Sequence, residues 1–204
     1  MRFRLPALAV VVVTAISLAG SSLGAATPMV TLTDAGFAPA TVLVDAVRLN
    51  VGATLAVHNA SSQSVVLCEQ VSSTCGFAPV GQDSYWEFDA AETTTLTTPQ
   101  FPQAKLVVEV PLSLESASRA GITVRWSSHA TPDPSAPSRF DVQWRRAAPR
   151  RHPRWHDLEV ATVDVAGTLV PRHPGRYVFR ARLCDLGAIV VCSGWSPELH
   201  APRV

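Results

Sequence analysis

The chain has 204 residues, 47% hydrophobic and 16% charged, with 17 Lys and Arg against 16 Asp and Glu. That supply of apolar side chains excludes a disordered chain and suffices for one or two folded domains. A formal net charge of +1 argues against a protein built to bind nucleic acid, whose phosphates demand a basic surface.

Arg2 and Arg4 precede an apolar run over 7–20, and Ser21, Ser22, Gly24, Ala25 and Ala26 follow it. A short positive region, about 14 apolar residues and an exit of small residues form a secretory signal peptide over 1–26. The run falls short of the roughly 20 residues of a membrane span. The mature chain is therefore expected to be secreted or periplasmic, at the cell envelope, with no membrane span. The alternative is an uncleaved signal that anchors it.

Export decides how the four cysteines read, because an oxidising compartment favours disulfides. Cys68 and Cys75 have six residues between them, Cys184 and Cys192 seven. Four cysteines allow three pairings, and two local bridges are the simplest. Neither spacing is the Cys-x-x-Cys of a structural zinc site or a redox centre.

Beyond residue 26 no stretch sustains helical periodicity. Short β-branched runs recur instead: Val42-Leu43-Val44, Thr54-Leu55-Ala56-Val57, Val65-Val66-Leu67 and Leu106-Val107-Val108-Glu109-Val110 in the first half, then Ile122-Thr123-Val124-Arg125-Trp126, Phe140-Asp141-Val142-Gln143-Trp144 and Tyr177-Val178-Phe179-Arg180-Ala181-Arg182. Pro, Gly, Ser and Asp clusters separate them. Short strands at this spacing predict an all-β chain of two β-sandwich domains in tandem, 27–111 and 112–204, with the seam near Pro111. Residues 27–111 hold eight acids and two bases, a net charge of −6. Residues 112–204 hold eight acids and thirteen bases, a net charge of +5. Opposite charges are one way for the two halves to hold together.

In the first half, Phe37-Ala38-Pro39 leads to Val42-Leu43-Val44, then Gly52-Ala53-Thr54 opens a strand that ends at Asn59. This pattern resembles the cupredoxin (plastocyanin- and azurin-like) domains over about 30–110, which implies a Greek-key sandwich; a generic immunoglobulin-like sandwich is the alternative. Blue copper needs two His, a Cys thiolate and an axial ligand. No His follows Asn59 over 61–67, and 91–105 contains no Cys, His or Met. His58 has no partner ligands in sequence. The resemblance thus implies a cupredoxin-like domain without copper ligands, and no cofactor is expected.

In the second half, Ile122-Thr123-Val124-Arg125-Trp126 and Phe140-Asp141-Val142-Gln143-Trp144 alternate as half-buried strands. Leu169-Val170-Pro171 then precedes Tyr177-Val178-Phe179-Arg180-Ala181-Arg182, and Gly194-Trp195-Ser196-Pro197 follows. Together these resemble a fibronectin type III domain over about 112–204. The resemblance implies a tyrosine corner at Tyr177 and places Cys184 and Cys192 on the last two strands. It implies a non-catalytic module: a spacer, an adhesion unit or a protein-binding domain.

Arg145, Arg146, Arg150, Arg151 and Arg154 fall between two strands of this half, with His152 and His156 among them and Trp144 and Trp155 flanking. Guanidinium groups bind carboxylates and phosphates and stack on aromatic rings. The five arginines form a candidate anion-binding loop for an anionic surface polymer or an acidic envelope partner. No Gly-x-Ser-x-Gly elbow, His-Glu-x-x-His helix or phosphate loop is present, so no enzyme activity is expected. The functional expectation is binding or adhesion at the envelope. Copper-dependent electron transfer and a passive spacer are the alternatives.

Overall fold

The computed structural model describes residues 27–39, 46–71, 74–128, 138–147, 153–186 and 189–204. The expected signal peptide and the Val42-Leu43-Val44 run lie outside them. Among the described residues there is no helix, and every regular element is a strand, as the β-branched runs predict.

The first half supplies β1 (Met29–Thr33), β2 (Gly36–Pro39), β3 (Ala46–Arg48), β4 (Ala53–Asn59), β5 (Val65–Glu69), β6 (Cys75–Ala78), β7 (Asp83–Phe88), β8 (Glu92–Thr97) and β9 (Lys105–Val110). They form two sheets, ordered β2-β1-β4-β7 and β3-β9-β8-β5-β6. Two pairings are parallel, β1 with β4 and β3 with β9; the other ladders are antiparallel. Strand alternation turns one face of each sheet inward. Leu32, Leu55, Val57, Val65, Leu67, Leu96, Val108 and Val110 are fully buried between the sheets. The turn into β4 depends on Gly52. Its φ of +78° suits glycine, and a Cβ there would lie 2.9 Å from the Ser128 Cβ.

The second half supplies β10 (Ser113–Ala117), β11 (Ile122–Arg125), β12 (Ser138–Arg146), β13 (His156–Thr162), β14 (Ala166–Leu169), β15 (Tyr177–Asp185), β16 (Val191–Cys192) and β17 (Leu199–His200). One sheet runs β10-β11-β14. The other runs β13-β12-β15-β16, with β17 also paired to β15. A second core lies between them around Trp126 and Phe179, both fully buried, with Ile122, Val124, Val142 and Ala181. The Trp126 indole N–H donates to the Asp164 carbonyl at 2.5 Å, so the ring is buried at no cost in unsatisfied polarity.

Cys68 is bonded to Cys75 and Cys184 to Cys192. Each bridge joins directly opposed residues of a hairpin, β5 to β6 and β15 to β16. Two such bridges point to an oxidising compartment. Among the described residues no helix is long and apolar enough to cross a membrane.

The two cores meet where β8 begins. The Ala91 N–H donates to the Trp126 carbonyl at 2.8 Å, and Thr93 and Gly194 exchange two backbone bonds at 3.0 and 2.9 Å. The Thr93 hydroxyl also reaches the Trp195 carbonyl at 2.9 Å. Val51 packs against both cores.

Candidate functional site

The strand pleat divides the arginine-rich segment, because successive side chains of β12 point to opposite faces. Arg145 faces outward with Gln143 and Asp141. Its guanidinium donates to both Glu198 carboxylate oxygens at 2.8 and 2.9 Å and lies 4.6 Å from the centre of the Trp155 ring. Arg180 stacks between Trp155 at 4.1 Å and Trp195 at 4.2 Å, and Arg182 continues the column at 4.6 Å from Trp195. Carboxylate and amide oxygens hold the cations in place: Arg180 donates to Gln143 and Arg182 to Asp141, each at 2.7 Å. Burial, aided by the neighbouring Arg145 and Arg182, lowers the Arg180 pKa from its ordinary value, and Glu198 opposes this. The column stiffens the sheet and occupies Arg145, leaving it little freedom to bind a ligand.

Arg146 points the other way, into a cleft of about 970 Å³ at the end of the second core. Arg154, on the segment leading into β13, and Arg172, in the turn before β15, share its wall with His156 and His173. Trp144 and Tyr177 form an apolar floor. The Trp144 and His156 rings stack at 4.9 Å, and Trp144 lies 5.8 Å from Tyr177. The Tyr177 hydroxyl donates to the His173 carbonyl at 2.6 Å, which fixes the turn that carries Arg172 and His173. Arg146, Arg154 and Arg172 are exposed, and no ion pair neutralises them among the described residues. Arg150 and Arg151 lie outside the described residues, as does His152. The cleft is lined wholly by residues of the second half. The acidic first half therefore does not cover it.

Sequence proximity pointed to Arg146 and Arg154 but missed Arg172 and His173. They lie some 20 residues further on, and Tyr177 folds their turn back over the cleft. The Arg172-His173 pair two residues before Gly175 was the signal available.

Among the described residues of the first half, no group of three His, Cys, Asp or Glu side chains gathers ligand atoms as a metal site needs. Asn59 is buried at the end of β4, where its side-chain N–H groups donate to the Gln63 and Ala78 carbonyls and its oxygen accepts from Ser61. This ties down the loop that follows β4. His58 meets the Asp83 carboxylate at 2.7 Å, and both cysteines of this half are consumed by their disulfide. In the second half, Asp141, Cys184 and Cys192 bring ligand atoms within 4.8 Å of one another. Those sulfurs are bonded together and the carboxylate is paired with Arg182.

A different buried acid does stand out. Glu92, the first residue of β8, is 3% exposed. Burial pushes it up from 4.5 to about 8; the neighbouring Glu69 carboxylate adds to the rise and a Ser193 hydrogen bond opposes it. Its Oε2 has no hydrogen-bond partner.

No protein-family model matches this chain, and no curated protein matches it.

Proposed function

We propose that the chain is an exported, non-enzymatic binding protein of the cell envelope, and that it holds anionic surface polymers in the cleft of Arg146, Arg154 and Arg172. The framework proposed is a cupredoxin-like Greek-key sandwich followed by a fibronectin type III sandwich. Strand orders β2-β1-β4-β7 and β3-β9-β8-β5-β6 support the first reading. The second is supported by the three-stranded sheet facing the β13-β12-β15 sheet, and by the bond from the Tyr177 hydroxyl to the preceding turn, the corner that immunoglobulin-like sandwiches use. Copper does not fit the donor residues present, so no electron-transfer step is derived for the first half.

The observation that carries the binding reading is the gathering of three guanidinium groups and two imidazoles over an aromatic floor in one cleft. Such a surface attracts phosphate, sulfate or carboxylate, and its rings cover the apolar parts of a sugar or polyol backbone.

Heparin and lipoteichoic acid serve as probes. Binding is expected to weaken steeply as salt rises, because clustered cations release counterions. The triple substitution Arg146→Ser, Arg154→Ser and Arg172→Ser is expected to cost about tenfold or more in affinity, since exposed charge contacts are worth a few tenths to one kcal/mol each. Arg145→Ser is expected to weaken binding far less, because Arg145 is already held by Glu198. Undiminished affinity in the triple variant overturns the proposal.

A further inference from the structure

Three turns of the second half carry an exposed arginine to the same end of it. Arg119 stands in the turn between β10 and β11, Arg172 in the turn before β15, and Arg203 beyond β17. None has an ion pair among the described residues. Main-chain bonds hold the turns in place. The Ser118 N–H donates to the Gly121 carbonyl at 2.9 Å, and the Ser118 hydroxyl accepts from the Ala120 N–H at 3.2 Å. Gly175 and Val204 exchange two backbone bonds, each at 3.1 Å. The Tyr177 hydroxyl holds His173, and the rings of Pro171 and Pro174 restrict the same turn. Gly175 also ties in Arg146. A Cβ there would lie 3.2 Å from the Arg146 Cδ, so the bare glycine lets the stem of that side chain lie against the turn.

The arginine cleft therefore continues past its own wall. A hollow of about 240 Å³ shares Pro171, Arg172 and His173 with it and adds Arg119. A further hollow, of about 510 Å³, shares Arg119, Pro174 and Val204 with the first and adds Arg203. Among the described residues no Asp or Glu lines the cleft or either hollow. The cations follow one another as a track: Arg146 and Arg154 in the cleft, Arg172 where cleft and hollow join, then Arg119 and Arg203. Most residues lining the two hollows are exposed, so neither encloses a compact molecule as a small-ligand pocket does. A lone anion meets only the nearest cation or two, because charges more than about 8 Å apart are screened at physiological salt. A chain that repeats its charge meets each cation in turn and releases counterions at each.

Resting on the reading of the cleft as an anion site, we propose that its ligand is a linear polyanion that runs through the cleft, over the 171–174 turn and on to Arg119 and Arg203, which form an outer subsite. The inner arginines then recognise a single charged unit, and the outer pair selects for chain length.

The test uses size-fractionated heparin: a disaccharide, short enough for the cleft alone, and a dodecasaccharide, long enough to leave it. The full chain is titrated at about 0.15 M salt, by calorimetry with the dodecasaccharide and by nuclear magnetic resonance with the disaccharide. Arg119→Ser combined with Arg203→Ser is expected to weaken the dodecasaccharide about fivefold or more and to lower the slope of log affinity against log salt by about two. The same variant is expected to leave the disaccharide within about twofold of the parent. Both arginines are exposed and unpaired, so their loss does not threaten the fold. Arg146→Ser combined with Arg154→Ser is expected to weaken both probes, and Arg48→Ser, an exposed arginine of the first half, to weaken neither. Dodecasaccharide affinity and salt slope unchanged by the outer pair, an equal loss for both lengths, or a matching loss in Arg48→Ser overturns the proposal. Should the inner pair also leave both probes unchanged, the cleft reading itself fails; should the outer pair alone be silent, the cleft stands and its extension falls.

Discussion

Gly167 has no side chain because Trp126 fills the space where one would stand. A Cβ at Gly167 would lie 2.8 Å from the Trp126 Cη2 and 3.3 Å from its Cζ3. The indole cannot retreat, since it is fully buried and its N–H is held by Asp164. Gly167→Ala is therefore expected to destabilise the fold by about 1–3 kcal/mol, the usual cost of overpacking; a denaturant melt reads it, and a midpoint equal to that of the parent refutes it. Arg145 and Arg146 teach the complementary lesson about what single residues reveal. Alternation along Phe140-Asp141-Val142-Gln143-Trp144 was plain in the sequence, and Val142 is buried as it requires. The same alternation sends Arg145 and Arg146 to opposite faces, so a run of arginines that reads as one patch is divided between a stacked column and a cleft. Which of them stayed free was not legible, because Glu198, which holds Arg145, lies 53 residues away.

At the scale of elements, β15 shows how a ladder is completed where no strand is available. Cys184 pairs with Cys192 on β16, and Val178 and Phe179 pair with β17. Between these pairings the backbone N–H groups of Leu183 and Ala181 donate to the hydroxyls of Ser193 and Ser196, each at 3.0 Å. The two serines also donate their own N–H groups to the Leu183 and Ala181 carbonyls, at 2.8 and 2.7 Å. Ser196→Ala leaves the buried Ala181 N–H without its partner. The expected loss is about 1–3 kcal/mol, together with faster amide exchange at Ala181; unaltered exchange there would refute the account. The Gly-x-Ser-Pro ending was visible in the sequence, and the resemblance implied only that Cys184 and Cys192 lie on the last two strands. The hydroxyl bonds were not visible, since they depend on a register set by the hairpin. Strand existence was legible through β-branched runs and turn residues. Strand order was not, because pairings such as β1 with β4 and β3 with β9 join segments distant in sequence and leave no local periodic mark.

At the scale of the whole molecule, the opposite charges of the two halves offered one way to hold them together. The contacts described at the seam are mostly hydrogen bonds. Arg48–Glu109, Arg125–Glu115, Arg145–Glu198 and Arg182–Asp141 each stay within one half. Among the described residues the crossing contacts include backbone bonds between Thr93 and Gly194, between Ala91 and Trp126 and between Ser128 and Asp89, and hydroxyl bonds from Thr93 to the Trp195 carbonyl and from Ser128 to the Asp89 carboxylate. The acid next to them, Glu92, meets Ser193 and Glu69. Ser193, about a hundred residues later, meets it from the other half.

This placement makes stability depend on pH in a definite direction. The folded chain keeps the Glu92 proton up to about pH 8, whereas the unfolded chain releases it near the ordinary 4.5. Between those values the unfolded state binds fewer protons, so stability falls as pH rises. The associated stability is complete below 4.5 and gone above about 8. Its size is at most on the order of 5 kcal/mol, because each tenfold difference in proton affinity between the two states is worth about 1.4 kcal/mol, and it is smaller to the extent that Glu69 shares the proton. Melting temperature is accordingly expected to decline between about pH 5 and pH 9. Glu92→Gln, which keeps the shape and cannot ionise, is expected to flatten that decline and to be the more stable protein at the alkaline end. Melting curves of both proteins across this range decide the matter: a parent protein whose melting temperature holds steady, or a variant that declines as steeply, would show that Glu92 does not govern the seam.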